Sequence, residues 1–294
     1  MRPLISIIIP TYNHGQYIGR ALNSVLEQTY QNFEIIVIDN NSIDNTGSIL
    51  SKYESEQRVR IFKISNHGVI AKSRNKGIEY ANGEWIAFLD SDDWWENKKL
   101  EYCVNNVNDY IDVIYHDLII VGDENSKRLK NRTRQVKKDV FRDLILSGNI
   151  ISNSSVFVRY DLIKSVGGFN ETHQIIGAED WNLLLKISRR TNNFLYLRKF
   201  LGFYQIHENG ISKKDMSECH EHAMREFWDE LNSREKGKVL GNISYMQGRY
   251  ALKSRDYKLS RHKFYYSLLH GKSEIMLKSL IMLFYLSFNR LKNI

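Results

Sequence analysis

The chain begins with LISIII at 4–9, a nearly unbroken apolar run rich in Ile and ended by Pro10. Such a run suits a strand buried on both faces. Residues 15–29 place Tyr17, Ile18, Ala21, Leu22, Val25 and Leu26 on one helical face. FEIIVID at 33–39 is a second buried strand, and 43–55 reads as a helix capped by Ser42 or Asp44. A third strand is predicted over 59–64, a helix over 69–83 stopped by Asn82-Gly83, and a fourth strand over Trp85–Leu89. Strands and helices alternating with short connections imply a mostly parallel sheet covered by helices, an α/β architecture. Ligands bind beyond the carboxyl ends of the strands in such sheets. Here those ends carry PTYN, DNNSIDNT and DSDD, so polar and acidic groups gather along one edge.

The middle is less regular. Helices are predicted over 97–110, 140–148, 160–169 and 178–191, and strands over 112–121, 154–159 and 194–207, the last as one or two. Residues 123–139 carry a Lys/Arg cluster without apolar period and read as a mobile loop. Beyond 212 the pattern is helical only. Residues 245–271 form two helices joined at Ser254–Asp256, spaced like one tetratricopeptide-type hairpin, and one unit is not an array. The expected division is therefore 1–212 as the α/β domain and 213–294 as an all-helical extension.

Charge follows this division. Residues 1–212 hold 26 Lys+Arg against 25 Asp+Glu, and 213–294 hold 16 against 9, so the formal +8 sits almost wholly in the extension. A nucleic-acid partner is not implied by the pI of about 9.2. The segment 280–288 is apolar apart from Ser287, with Lys278, Arg290 and Lys292 flanking it. It is too short to span a bilayer but suits peripheral contact with an anionic membrane surface; packing on its own domain or in a homodimer is the alternative. Cys103 and Cys219 match no metal or redox spacing and read as two unpaired thiols of a reducing compartment. The N-terminal apolar run is shorter than a signal peptide requires, and a cytoplasmic location follows, at the inner face of the cell membrane if the extension docks there.

The chemistry centres on EWIAFLDSDDWW at 84–95, where an apolar strand runs into Asp90, Asp92 and Asp93. Carboxylates this close repel unless a cation joins them. Mg2+ or Mn2+ would, leaving positions for substrate phosphate and water; alone, the same residues could be a solvated helix-capping turn. Asp39 could accept hydrogen bonds from a base, and Arg74 could reach phosphate or base. No P-loop or dinucleotide fingerprint follows the first strand.

SIIIPTYN, IIVIDNNSIDNT, GVIAKSRNKGIEYANGEWIAFLDSDDWW, SSVFVRYDLIKSVGGFNE and GAEDWNLLLKI occur in the order seen in family 2 glycosyltransferases, and residues 3–212 resemble that family. The resemblance implies the GT-A fold and inverting transfer from a nucleotide-sugar donor, usually a UDP-sugar, in bacterial polysaccharide biosynthesis. Asp90-Ser91-Asp92 matches the D-x-D motif, with Asp92 the direct metal ligand and Asp90 near the metal and donor sugar. Pro10, Thr11, Tyr12 and Asn13 match the first nucleotide-contacting loop, Asp39 the acid that holds the base, and Arg74 the Arg near the nucleotide. Asp180 matches the general base, and His207 a His that contacts metal or diphosphate. Asn40 and Asn41 depart from the usual D-G, Ser73 from Ala, and Gln205 stands where Arg is common.

The implied reaction is one displacement at the anomeric carbon. Asp180 takes the proton of an acceptor hydroxyl on a glycan or lipid-linked glycan, and the metal stabilises the leaving diphosphate. Trp94 and Trp95 could stack on sugar or belong to the core. Other readings are a nucleotidylyltransferase, for which the first loop lacks basic character, and a non-catalytic sugar- or partner-binding module, against which Asp39, Asp90, Asp92 and Asp180 are all retained.

Overall fold

The structure is a computed structural model that describes residues 2–122, 129–207, 210 and 214–291. Strands β1 (Ile5–Thr11), β2 (Phe33–Asp39), β3 (Val59–Lys63) and β4 (Trp85–Phe88) alternate with helices α1 (Gly15–Leu26), α2 (Thr46–Leu50) and α3 (Ile70–Tyr80). They form the parallel half of the sheet, in the order β3-β2-β1-β4. Alternation along β1 divides the core. Ile8 packs with Ile36, Ile86, Phe88 and α3 on one face, and Ile5, Ile7 and Ile9 pack with Ile18, Leu22 and Val25 of α1 on the other.

The remaining strands make the sheet mixed rather than mostly parallel. After the short β5 (Trp94–Trp95) come α4 (Lys99–Val104), β6 (Val113–Val121), β7 (Leu129–Asn131), α5 (Val140–Ser147), β8 (Phe157–Arg159), α6 (Tyr160–Ser165), α7 (Glu179–Ser188) and β9 (Phe194–Gln205). The order continues β4-β8-β6-β9-β5, with β8 antiparallel to both neighbours and β6 parallel to β9. β9 is one strand, bent by register shifts opposite His116 and Asp117.

Several elements are shorter than their sequence pattern. The second helix covers only Thr46–Leu50, because the Asp44 carboxylate takes the Thr46 N–H and hydroxyl and so delays its start. The helix expected over 97–110 is confined to Lys99–Val104. Part of the expected loop 123–139 is ordered. β7 pairs with β6, and Arg134 is anchored on Asp143; residues 123–128 lie outside the described set.

The C-terminal helices are α8 (Ser217–Arg225), α9 (Ser233–Lys253), α10 (Tyr257–His270) and α11 (Ser273–Leu291). Asn232 and Glu235 form a reciprocal capping box at the start of α9. The expected boundary at 212 falls outside the described residues. Beyond it, Cys219, Ala223, Met224, Phe227, Val239 and Ile243 join the same core as α5 and α7. A small separate cluster of Phe264, Leu283 and Leu286 holds α10 and α11 together. Among the described residues no helix is long and apolar enough to cross a membrane.

Candidate active site

The carboxyl ends of β1 and β4 open into a cleft of about 940 Å3, whose far wall comes from α5, α7 and the start of α11. The three carboxylates after β4 have three different settings. Asp90 accepts from Arg74 Nη2 at 2.7 Å and from Asn153 Nδ2 at 3.2 Å. Arg74, only 3% exposed, donates its Nη1 to Glu179 Oε1 at 2.5 Å. Burial works against its charge, but Asp90 and Glu179 outweigh burial and hold the guanidinium pKa above its ordinary value. Helix α3 can carry Arg74 there because it packs closely on β1. A Cβ at Gly77 would lie 2.4 Å from Ile8 Cγ2.

Asp93 turns inward. It accepts from Ser154 Oγ at 2.6 Å and from the Gln205 N–H at 2.9 Å. Burial, then the charges of Asp92 and Asp90, push its pKa well above the carboxylate range, so it favours the neutral form and ties the turn to β9.

Asp92 faces two imidazoles. Its Oδ2 lies 2.8 Å from His207 Nε2, and ligand atoms of His14, Asp92 and His207 all lie within 4.8 Å of one another. His14 Nδ1 meets Ser91 Oγ at 2.7 Å. Burial lowers the His14 pKa, and nearby Asp92 opposes this. A neutral imidazole keeps a lone pair for a cation.

On the opposite wall, Gly177 at φ 95° turns the chain into α7. Its N–H donates to Glu179 Oε2 at 2.5 Å. The next residue, Asp180, lines the cleft and accepts from Asn149 Nδ2 at 2.9 Å and from the Trp181 N–H at 2.7 Å. Burial first, and the Glu179 charge second, raise its pKa to about 7, against the pull of Arg74 and Asn149. A carboxylate poised there can accept a proton at neutral pH.

Thr11 and Asp39 sit side by side in the β1–β2 register. Asp39, 1% exposed, takes the Ser42 N–H at 3.0 Å and the Ser42 hydroxyl at 2.5 Å on Oδ1. Asp39 Oδ2 and Thr11 Oγ1 are buried with no hydrogen-bond partner among the described residues. Orphaned buried polar groups are costly and point to a partner supplied from outside the chain. Tyr12, half exposed, borders the same end of the cleft.

The family model for glycosyl transferase family 2 matches residues 6–165. The chain belongs to glycosyltransferase family 2. The transferase is 32% identical over 212 residues to an uncharacterized glycosyltransferase of Haemophilus influenzae, covering 71% of this chain and 82% of the relative. A putative teichuronic acid biosynthesis glycosyltransferase of Bacillus subtilis, TuaG, is 42% identical over 101 residues, 34% of this chain and 40% of TuaG. Among solved structures, S. aureus TarS in complex with UDP-GlcNAc superposes with a TM-score of 0.66 at 21% identity, covering 92% of this chain and 82% of that one. The mannosyltransferase PcManGT of Pyrobaculum calidifontis, in complex with GDP-Man and Mn2+, gives 0.62 at 16% identity, covering 94% and 78%. The fold is GT-A, with the helices α8–α11 appended.

Of the residues singled out from the transferase's sequence, Pro10, Thr11, Tyr12, Arg74, Asp90, Ser91, Asp92, Asp180 and His207 line one cleft. Asn13 and Asp39 stand behind it. Asn13, at φ 50°, takes the Ile43 N–H on its amide oxygen and so locks the first loop to the second. Arg74 pairs both terminal nitrogens with carboxylates while its Nε has no hydrogen-bond partner among the described residues, and Asp90 is held by Arg74 outside the His14–Asp92–His207 group. Trp94 and Trp95 are packing residues. Trp94 lies between Arg20 and Phe203, and Trp95 Nε1 donates to the Ser154 carbonyl.

Sequence reasoning missed His14, Glu179, Asn149 and Arg20. His14 stood one residue beyond the quoted PTYN, and Glu179 inside GAED, so both were within reach. Arg20 contacts the Asp92 carbonyl at 2.9 Å and Gln205 Oε1 at 3.2 Å, bringing a cation to the place where Gln205 replaces Arg.

Proposed function

We propose that the transferase moves a sugar from a UDP-sugar to a hydroxyl of a glycan or lipid-linked glycan, with inversion and with a divalent cation bound. The observation that carries this is the pairing across one cleft of the His14–Asp92–His207 group with Asp180, a carboxylate held near pH 7. The complexes of TarS with UDP-GlcNAc and PcManGT with GDP-Man and Mn2+ support a nucleotide-sugar donor.

The donor set suits a cation. Two imidazoles and one carboxylate favour Mn2+ over Mg2+, which prefers an all-oxygen shell. His14, Asp92 and His207 would hold the ion, and the chemistry it supplies is neutralisation of a diphosphate leaving group. The protein's own residues do the rest. Asp39 Oδ2 receives the one N–H of the uracil, the Thr11 hydroxyl donates to a carbonyl of the base, and Tyr12 covers it. Arg74 fixes Asp90 and Glu179 in place. Asp180, oriented by Asn149 and the Trp181 N–H, takes the acceptor proton. The exposed apolar side of α11, with the basic extension around it, contacts the anionic inner face of the cell membrane.

Thermal shift and donor hydrolysis with a panel of UDP- and GDP-sugars, in Mn2+, Mg2+ or EDTA, test the reading. One UDP-sugar should raise the melting temperature with Mn2+ above Mg2+, and Asp92→Ala should remove the response. No metal-dependent response to any nucleotide sugar would overturn it.

A further inference from the structure

The far end of the cleft is basic. Arg132, Arg134, Lys272 and Lys278 line it, contributed by the chain after β7 and by the start of α11. Few carboxylates answer them. Arg134 forks onto Asp143, and Lys272 Nζ lies 3.9 Å from the same carboxylate, so one anion serves two cations. Lys278 pairs with Glu274 at 2.7 Å in an exposed contact. Arg132 pairs with no carboxylate among the described residues, and its guanidinium lies 5.4 Å from the Phe200 ring centre. Among the described residues these four cations have two carboxylate partners between them, Asp143 and Glu274, while Glu179 of the same cleft is taken up by Arg74. Burial lowers the Lys272 pKa most; Asp143 pulls it back up, Lys137 and Arg134 lower it again, and Glu274 raises it slightly, leaving it below its ordinary value. Ion pairs that merely stapled α11 to α5 would be balanced. This cluster carries uncompensated charge that a bound anion would relieve.

Its position says which substrate. Arg134 Nη2 and Lys272 Nζ converge on Ser147 Oγ at 3.0 and 2.8 Å. Ser147 lies two residues before Asn149, whose amide holds Asp180. The basic wall is therefore on the side of the proton acceptor, across the cleft from Thr11 and Asp92. Resting on the reading of Asp180 as the general base, we infer that the acceptor is an anionic glycan, gripped by its phosphate or carboxylate oxyanions between Arg132, Arg134 and Lys272. A neutral glycan would leave the repulsion within the wall in place.

Fluorescence anisotropy with three labelled oligomers tests this on the full chain: an oligo(glycerol phosphate), an oligogalacturonate and a neutral malto-oligosaccharide. At least one anionic oligomer should bind, more weakly as salt is raised, and the neutral one should not. Binding of the phosphate oligomer alone assigns a phosphodiester acceptor, and of the galacturonate alone a uronate. Arg132→Gln, at an exposed position, should weaken binding about fivefold, as expected for one exposed charge pair, and Lys272→Met should add to it. Equal binding of the neutral oligomer, no anion binding, or wild-type affinity in the double variant would overturn the inference. A UDP-sugar thermal shift with Mn2+ on the wild-type chain separates the two readings. A shift without anion binding removes this inference alone. No shift removes the donor reading, and with it the acceptor role of the wall.

Discussion

Replacing Asp180 with Asn should make the protein more stable and nearly inactive. Burial and Glu179 lift the carboxyl from its usual 3.8 to about 7. The folded chain therefore holds this proton more tightly than the unfolded chain between those values, and stability falls as pH rises through that window. At about 1.4 kcal/mol per pH unit, the ceiling on the cost of keeping the carboxylate ionised is about 4 kcal/mol. Water in the open cleft screens the charge, and about 2 kcal/mol is the expected share. Asn keeps the shape and the acceptor for the Trp181 N–H. The Asn149 amide must turn over to give its oxygen to the new donor. Urea unfolding at pH 8 should show Asp180→Asn more stable by that amount, and most of the gain should be gone near pH 4, where the folded carboxyl is protonated and the unfolded one is about half protonated. Sugar transfer should fall by about a factor of a thousand, the usual worth of a general base. In the wild type, transfer should rise with pH through a midpoint near 7. A variant less stable at pH 8, or a stability difference undiminished at pH 4, would refute the reasoning.

Other consequences can be checked in the same preparations. Lys99 is fully buried, its Nζ has no hydrogen-bond partner among the described residues, and burial lowers its pKa to about 8. Because the folded value is the lower one, its cost is present below pH 8 and is relieved as pH rises towards 10.5; Lys99→Met should stabilise the fold at pH 7 by about 3 kcal/mol in urea unfolding, with the gain shrinking by pH 10. On α11, Ile281 and Phe284 are 57% and 61% exposed. In vesicle co-sedimentation, the double change to Ser should cut binding to phosphatidylglycerol membranes by about tenfold, from the apolar area withdrawn; unchanged partition would remove the membrane contact.

The parallel half of the sheet was legible because both of its faces are covered. LISIII and FEIIVID needed no alternation to read as strands, and their packing on α1 and α3 explains why. The placement of β8 between β4 and β6 was not legible. Three residues, FVR, carry no signal for an antiparallel partner, and only pairing with Trp85–Ala87 and Val113–Ile114 defines it. In the site, Asp92, Asp180 and His207 were readable as motif positions. Which residues pair with which was not readable, since Arg74–Glu179 and Asn149–Asp180 are contacts that distant segments make only after folding. The entry of Lys272 and Lys278 into the cleft was invisible for the same reason. Their sequence pattern described a helix, not the wall against which it rests.

The tie between the acidic turn and β9 also sets when the site can exist. Asp92 and His207 are 115 positions apart, Asp93 and Gln205 are 112 apart, and Arg74 and Glu179 are 105 apart. Contacts closing such long loops form late in folding. A chain still emerging from the ribosome, complete through residue 165 where the family match ends, would hold Asp90, Asp92, Asp93 and His14 but neither β9 nor His207. Asp90 could already meet Arg74 and Asn153, and Asp93 could meet Ser154, but Asp92 would lack His207. The Asp92–His207 and Asp93–Gln205 contacts thus form only when β9 and the residues just after it have docked, whereas Asp180 and its partner Asn149 are already in the chain before β9 begins.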